Sequence, residues 1–133
     1  MASSQANDRP LATSQVRESP VIVYVGEETD LAAFHAASLR AAGYNLLTVF
    51  RPEEAVRRMT EGQIDVVIVG HHLTFSERQQ VEQAARQCRP KPRVVLLYDS
   101  SIAQTEQADA VLNINSEPQH LAQTIRYLLT GSY

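Results

Sequence analysis

Two adjacent histidines are the residues in this sequence whose chemistry is most versatile. His71 and His72 directly follow Gly70, and an imidazole can ligate a metal ion or accept a phosphoryl group. A zinc site takes three or four well-directed ligands, and only Glu27 or Asp30 offers a further ligand from a neighbouring loop. Because adjacent side chains usually point in different directions, we interpret the pair as two loop histidines and predict no metal site.

An aspartate and a cysteine are the next candidates for chemistry. Asp99 follows an apolar run and could share a site with Glu27, where two carboxylates would hold a cation. An aspartate followed by Ser100 and Ser101 is more typical of a turn, which is the interpretation we favour. Cys88 falls on an apolar helical stripe, which predicts a buried, unreactive thiol, and a single cysteine excludes an internal disulfide.

The remaining glycine and histidine patterns do not predict a cofactor site. Gly26 stands where a phosphate-binding glycine could lie, but it has neither Walker nor dinucleotide-binding spacing. The glutamates that follow it would repel an anion. His35 and His120 fall on separate predicted helices, where we expect surface or packing roles. No cofactor is therefore predicted.

The composition is that of one globular domain. The chain has 133 residues, 44% of them hydrophobic, and a formal net charge of −3. It lacks the run of about 18 apolar residues that a membrane span needs and the basic block typical of nucleic-acid-binding proteins. Residues 1–19 are polar and lack the apolar run of a secretory signal. We therefore predict a flexible tail over 1–19, a domain over 20–133 and a cytoplasmic location.

The rest of the chain alternates strand patterns with helix patterns five times. Apolar, β-branched runs such as VIVYV at 21–25 predict strands that are buried on both faces, which is typical of a parallel sheet. Helices are predicted where capping residues precede apolar stripes. The predicted strands are 21–25, 45–50, 64–69, 93–98 and 110–114, and the predicted helices are 30–42, 52–61, 76–88, 101–108 and a last one from 118.

Five strand–helix units predict an α/β fold with three layers, a flavodoxin-like (βα)5 sandwich with a five-stranded parallel sheet in the order 2-1-3-4-5. In such a sheet the ligand crevice lies at the carboxyl ends of the strands, near the switch point between strands one and three. The residues that follow Val25, Val69 and Tyr98 are expected there. The predicted crevice rim consists of His71, His72 and Asp99.

Several segments together resemble the receiver domains of two-component response regulators. VIVYVGEETDL is similar to their first strand and acidic turn, AAGYNLLTVFRPEEAV to their second strand and helix, IDVVIVG to their third strand, and ADAVLNINSEPQHLAQTIRYLL to their last strand and helix. The resemblance covers residues 20–129. It implies an aspartate after strand three that accepts a phosphoryl group, acids after strand one that hold magnesium, a Ser or Thr ending strand four and a lysine ending strand five.

The acidic part of that site is missing when the resemblance is carried over position by position. The phosphoacceptor position falls on Gly70, which has no nucleophile. The acidic pair becomes Gly26 and Glu27, so one carboxylate survives. Asp65 lies before the apolar run of strand three, and no acidic residue follows it until Glu77. No small shift of register therefore restores an aspartate.

The other positions of the receiver site also depart from the pattern. The hydroxyl position falls on Tyr98, whose ring is too large for a small switch residue. The lysine position falls on Ile114, or on Asn113 if the register shifts by one, and the switch aromatic becomes Val111. The only lysine of the chain, Lys91, lies before strand four and cannot reach the end of strand five.

We therefore interpret the chain as a pseudo-receiver that is not phosphorylated, is not an enzyme and acts in signalling by protein–protein contact. The alternative is a small-molecule or metal-binding sensor that uses the crevice. The expected partners are proteins, including a second copy of this chain, and neither nucleic acid nor membrane. The residues expected at the interface are Gln104, Gln107, Arg126 and Tyr127.

Overall fold

The structure is a computed structural model that describes residues 19–99, 108–115 and 118–131. Most of the helix predicted over 101–108 lies outside the described residues, as do Gln104 and Gln107 of the expected interface. The elements are β1 (Val21–Val25), α1 (Asp30–Ala41), β2 (Asn45–Val49), α2 (Pro52–Glu61), β3 (Val66–Val69), α3 (Phe75–Gln87), β4 (Arg93–Tyr98), β5 (Ala110–Asn113) and α4 (Pro118–Thr130).

The five strands form one parallel sheet in the order β2-β1-β3-β4-β5. This confirms the predicted fold class and strand order. The strand patterns determined it because successive residues of each central strand are buried on opposite faces, and both faces need a cover of helices. Among the described residues, no helix is both long enough and apolar enough to cross a membrane.

Alternate residues of the strands face two separate hydrophobic cores, one on each side of the sheet. Val23, Val67 and Leu96 face the core that α2 and α3 cover, with Ala55 and Val81 from those helices. The intervening strand residues face the second core, which α1 and α4 cover; it contains Ile22, Tyr24, Ile68, Leu97, Leu39 and Ile125. Full burial of a Val, Leu or Ile side chain contributes about 1.5–3 kcal/mol, so both layers of helices are held firmly to the sheet.

Two elements begin at a different residue from the one predicted. The third strand starts at Val66 rather than at residue 64, because Asp65 turns its carboxylate toward the start of β1. The third helix starts at Phe75 rather than at Ser76, because Thr74 caps it. Thr74 and Glu77 form a reciprocal capping box, a Thr-x-x-Glu pattern that the sequence contains and that the prediction overlooked.

The same aspartate arrangement occurs twice at the amino ends of the strands. The Val21 N–H donates to Oδ2 of Asp65 at 2.8 Å, while the Asp65 N–H donates to the Val21 carbonyl at 2.9 Å. The Val94 N–H donates to Oδ2 of Asp109 at 2.7 Å, and the Asp109 N–H donates to the Val94 carbonyl at 2.8 Å. Each aspartate therefore fixes the register at which two parallel strands begin.

Candidate functional site

The carboxyl ends of the strands bring together the residues that the sequence assigns to a degenerate receiver site. Gly26 and Gly70 follow β1 and β3, whose last residues Val25 and Val69 are paired. At the other side of the crevice Tyr98 pairs with Asn113 at the ends of β4 and β5, and the Ile114 N–H donates to the Tyr98 carbonyl at 2.8 Å. All of these positions lie at one edge of the sheet.

Gly70 occupies a position where a side chain does not fit. Its N–H donates to the Val25 carbonyl at 2.7 Å, so the two backbones are in close contact. A Cβ atom placed on Gly70 would lie 2.7 Å from that carbonyl oxygen and 3.3 Å from Cα of Gly26. Both obstacles are backbone atoms, which cannot rotate away. The position therefore lacks a nucleophile and also lacks room for one on this backbone.

The residues that the sequence analysis assigns to the hydroxyl and lysine positions are Tyr98 and Ile114 or Asn113. Tyr98 is half-buried, and Oδ1 of Asn113 accepts a hydrogen bond of 2.8 Å from the Asn115 N–H. Ile114 packs against the core between the sheet and α1 and α4. The exposed Lys91 precedes β4 and so lies at the opposite edge of the sheet. Neither Ile114 nor Asn113 supplies a cation to this crevice.

The two adjacent histidines lie side by side over the crevice. The ring centroids of His71 and His72 are 3.9 Å apart, so the expectation that their side chains diverge is wrong. The reason is local: they are the central residues of a turn in which the Leu73 N–H contacts the Gly70 carbonyl at 3.5 Å. Nδ1 of His72 lies 3.9 Å from Oε1 of Glu27. The two side chains form an ion pair when the imidazole is protonated.

A third histidine lies beneath this pair, on α1. His35 is 3% exposed, and its Nδ1 shares a hydrogen bond of 3.1 Å with the Tyr24 hydroxyl. Burial raises the pKa of Tyr24 to about 12, so the phenol stays neutral. The sequence predicted either a surface or a packing role for His35, and the structure shows the packing role. Its spacing of four residues from Leu31 and from Leu39 indicates a shared helix face. His120, by contrast, is exposed.

Electrostatic effects couple the histidines to one another. Burial lowers the pKa of His35, and the charge on His71 lowers it further. Burial and the neighbouring His72 lower the pKa of His71, while Asp99 and Glu27 act in the opposite direction. The rim residues predicted from the sequence are thus within electrostatic reach of one another. Ser100 and Ser101, the other residues of the turn predicted at Asp99, lie outside the described residues.

The described residues do not form a metal site. Within them, no three His, Cys, Asp or Glu side chains are arranged to hold a metal ion. The magnesium that the receiver resemblance implies needs several hard oxygen ligands, and Gly26 and Gly70, which the sequence analysis assigns to two of the ligand positions, have no side-chain oxygen. The residues present therefore do not fit that ion.

A small cavity opens beside the crevice, between α1 and the outer strand β2. Its volume is about 210 Å³. One wall consists of alanines of α1, and Glu27 and Arg40 contribute charged groups to it. The other lining residues that matter for its chemistry are Tyr24, Gly26, Glu28 and Phe50.

The remaining predicted residues lie away from the crevice. Cys88 follows the end of α3 and is half-buried rather than buried as predicted; its thiol donates to the Met59 carbonyl at 3.5 Å, and it packs against the core. Arg126 and Tyr127 are exposed on α4. Val111 on β5 is also partly exposed, with 38% of its surface accessible. Arg126 and Tyr127 are the described part of the expected interface.

The fold is shared with many solved structures. A chemotaxis response regulator of Vibrio cholerae matches with a TM-score of 0.71 and 18% identity over 84% of this chain and 99% of its own. A response regulator receiver protein from Sinorhizobium medicae has a TM-score of 0.73 and 19% identity, covering 84% and 95% of the two chains. The chain has the receiver fold. No protein-family model and no curated protein matches its sequence.

One of these receiver-fold structures gives a direct comparison at the crevice. The receiver domain of a sensor histidine kinase from Pseudomonas aeruginosa has a TM-score of 0.74 and 16% identity, and covers 86% of this chain and 99% of its own. That domain coordinates a magnesium ion in its active-site cleft. This chain shares the fold of that domain, and the residues that follow its own β1 and β3 are Gly26 and Gly70.

Substitution of Gly70 tests whether the crevice is closed to side chains. Gly70→Ala is expected to destabilise the fold by about 1–3 kcal/mol, because the added methyl group meets the Val25 carbonyl. Gly62→Ala is the matched control, since a Cβ there meets only the Arg58 carbonyl at 3.8 Å. Urea unfolding measures both variants. Equal stability of the two would contradict the steric account.

The histidine cluster predicts how stability depends on pH. His35 and His71 have a lower pKa in the folded state than the ordinary value of 6.5, so the unfolded chain binds more protons as the pH falls. Their contribution to stability is therefore complete above pH 6.5 and is lost as the pH falls from there through the folded pKa values. Each proton adds at most about 1.4 kcal/mol per pH unit.

Denaturant unfolding between pH 7.5 and 5.5 measures this loss, because most carboxylates titrate at lower pH. The variant His71→Gln removes one titrating group and one cause of the lowered His35 pKa, so it should flatten the curve. The variant His120→Gln, on an exposed face of α4, should retain the wild-type slope. A stability that stays constant across this range in the wild type would show that the cluster is not coupled to folding.

Proposed function

We propose that the chain is a pseudo-receiver, a signalling module that is not phosphorylated at the receiver position and acts by binding other proteins. The observation that carries this proposal is Gly70, where the family's phosphoacceptor would stand and where a Cβ would lie 2.7 Å from the Val25 carbonyl. An acceptor side chain therefore cannot be restored there without moving the backbone of the central strands.

The chemistry of phosphoryl transfer supports the same proposal. Transfer to a carboxylate depends on cations that neutralise the charge spread over the phosphoryl oxygens. Of the two positions assigned to the acidic pair after β1, only Glu27 carries a carboxylate here. The position assigned to the lysine is Ile114. With no aligned nucleophile, base or cofactor motif, we propose a binding role rather than an enzymatic one.

Protein is the partner class that the composition favours. The net charge is −3 and the chain has no basic block, so the electrostatic attraction that holds nucleic acids is lacking. Arg126 and Tyr127 are exposed on α4, and both residue types are common anchors of protein interfaces. We propose this side for contact with a partner protein or a second copy, in the cytoplasm.

The second candidate function is a small-molecule sensor. The cavity of about 210 Å³ beside α1 favours it, because its lining includes Gly26 and Glu27 of the crevice. It is smaller than the roughly 300–1,000 Å³ of ordinary ligand sites, which is why the interaction module remains the first proposal.

Exposure to phosphoryl donors tests the pseudo-receiver proposal. Acetyl phosphate, or beryllofluoride with Mg²⁺, should leave both the intact mass and the ¹H–¹⁵N spectrum of the full chain unchanged, since no acceptor aspartate follows β3. An ordinary receiver domain treated in parallel serves as the positive control.

A gain of phosphate mass with shifts around Gly70 would contradict the pseudo-receiver proposal. Arms with Mg²⁺ or Zn²⁺ alone test the sensor version that uses metal. Shifts at Glu27 and the two histidines in those arms would favour that version over the interaction module.

The proposed interface is tested through Tyr127, which is 45% exposed. Tyr127→Ser should change folding stability by no more than about 0.5 kcal/mol, because the side chain is at the surface. It should weaken association about tenfold or more if the ring anchors an interface. Sedimentation velocity over a range of concentrations measures association with a second copy, and affinity capture measures other proteins. Gln79→Ala, an exposed position on α3, is the control; equal association of both variants would exclude Tyr127 as an anchor.

A further inference from the structure

The helix pair α2 and α3 carries opposite charges at its two ends. A helix that joins two parallel strands begins at the carboxyl edge of the sheet and ends at the amino edge, so both helices run in that direction. Their first turns contain Glu53, Glu54 and Glu77. Their last turns contain Arg58 and Arg86. These charges stabilise the helix dipoles, and they give the pair an acidic end at the carboxyl edge and a basic end at the amino edge.

The loop that follows α3 adds positive charge to the basic end. Residues 86–93, RQCRPKPR, contain four basic residues and no acid, in a chain whose net charge is −3. Arg86, Arg89, Lys91 and Arg93 are all exposed. Among the described residues, the acids of this end are Glu61, Asp65 and Asp109. The last two accept hydrogen bonds from backbone N–H groups, so the basic end keeps an excess of positive charge.

A groove separates the ends of α2 and α3 at the basic end. Its volume is about 430 Å³, within the roughly 300–1,000 Å³ of ordinary binding sites. Arg89 and Glu61 contribute one charge of each sign to the lining. The apolar part of the lining consists of Met59, Ile64, Pro90 and Pro92. The basic end therefore combines a positive rim with an apolar groove that has room for a large side chain.

The acidic end presents projecting aromatic rings. Phe75 is the first residue of α3 and is 53% exposed. Phe50 precedes α2 and is 57% exposed. Phenylalanine is normally among the most buried residues, and aromatic side chains are enriched at protein interfaces. The arginines of this end are the exposed Arg51 and the buried Arg78, so acids outnumber the exposed bases around the rings.

We propose that the acidic end of the α2 and α3 pair in one copy of this chain docks on the basic end of the same pair in a second copy. The chain carries both halves of the contact, acids with projecting rings and bases with an apolar groove. The contact is heterologous, so two joined copies still have one free end of each kind and further copies can add. It uses neither Arg126 nor Tyr127 and is independent of the proposed signalling role.

Sedimentation velocity of the full chain tests the proposal through its dependence on salt. Association should be measurable at concentrations up to about 1 mM, the range of weak protein contacts. Raising the salt from about 0.1 M to about 1 M shortens the screening length from about 10 Å to about 3 Å, so association should weaken at least about tenfold. A chain that stays monomeric at low salt, or that associates equally at both salt concentrations, would overturn the proposal.

Two double variants each alter one end. Glu53→Lys with Phe75→Ser alters the acidic end, and Arg86→Glu with Lys91→Glu alters the basic end. All four residues are exposed, and a dispersed ¹H–¹⁵N spectrum checks that each variant is folded. Each variant alone should associate at least about tenfold more weakly than the wild type. Arg57→Glu, at an exposed position midway along α2, is the control and should associate as the wild type does.

An equimolar mixture of the two double variants identifies the contact as head-to-tail. One unaltered end of each kind remains in the mixture, so it should form heterodimers with wild-type affinity and stop at two copies. A mixture that stays monomeric would overturn the proposal, as would double variants that associate like the wild type. Association that is lost in Tyr127→Ser and retained in both double variants would overturn it too, and would assign the contact to α4.

Discussion

The contact between the Val25 carbonyl and the Gly70 amide, 2.7 Å apart, constrains everything at the functional edge of this domain. It joins β1 and β3 at the topological switch point of the sheet. Ligands of open α/β sheets bind in the crevice beside that point. The contact requires glycine at position 70, since a side chain would strike the carbonyl oxygen. The backbone thus has the receiver fold, and at position 70 it leaves no room for a side chain.

The fold could be predicted because it depends on patterns that are local and redundant. Runs such as VIVYV and DVVIV predict buried parallel strands. The sequence also shows no acidic residue between Asp65 and Glu77, which is the reason for predicting that the phosphoacceptor is missing. The start of α3 was missed because a reciprocal pair, Thr74 and Glu77, outweighed the simpler choice of Ser76 as the first helical residue. Competition between neighbouring caps is decided by geometry that a single sequence does not display.

The arrangement of the histidines was beyond the reach of sequence reasoning for a different reason. Whether His71 and His72 diverge or lie together depends on the turn that follows Gly70, and that turn depends on contacts between β1 and β3. The burial of His35 depends in turn on the hydroxyl of Tyr24 across the core. Long-range packing therefore brings His35 close enough to the adjacent His71 and His72 to form an electrostatically coupled group.

The paired aspartates at the other end of the sheet have a consequence for how such a domain changes over time. Asp65 and Asp109 align the strands where they begin, about as far from the crevice as the sheet allows. Substitutions at the carboxyl ends of the strands thus leave the alignment at the amino ends untouched. The residues around the crevice can therefore vary while the strands keep their register.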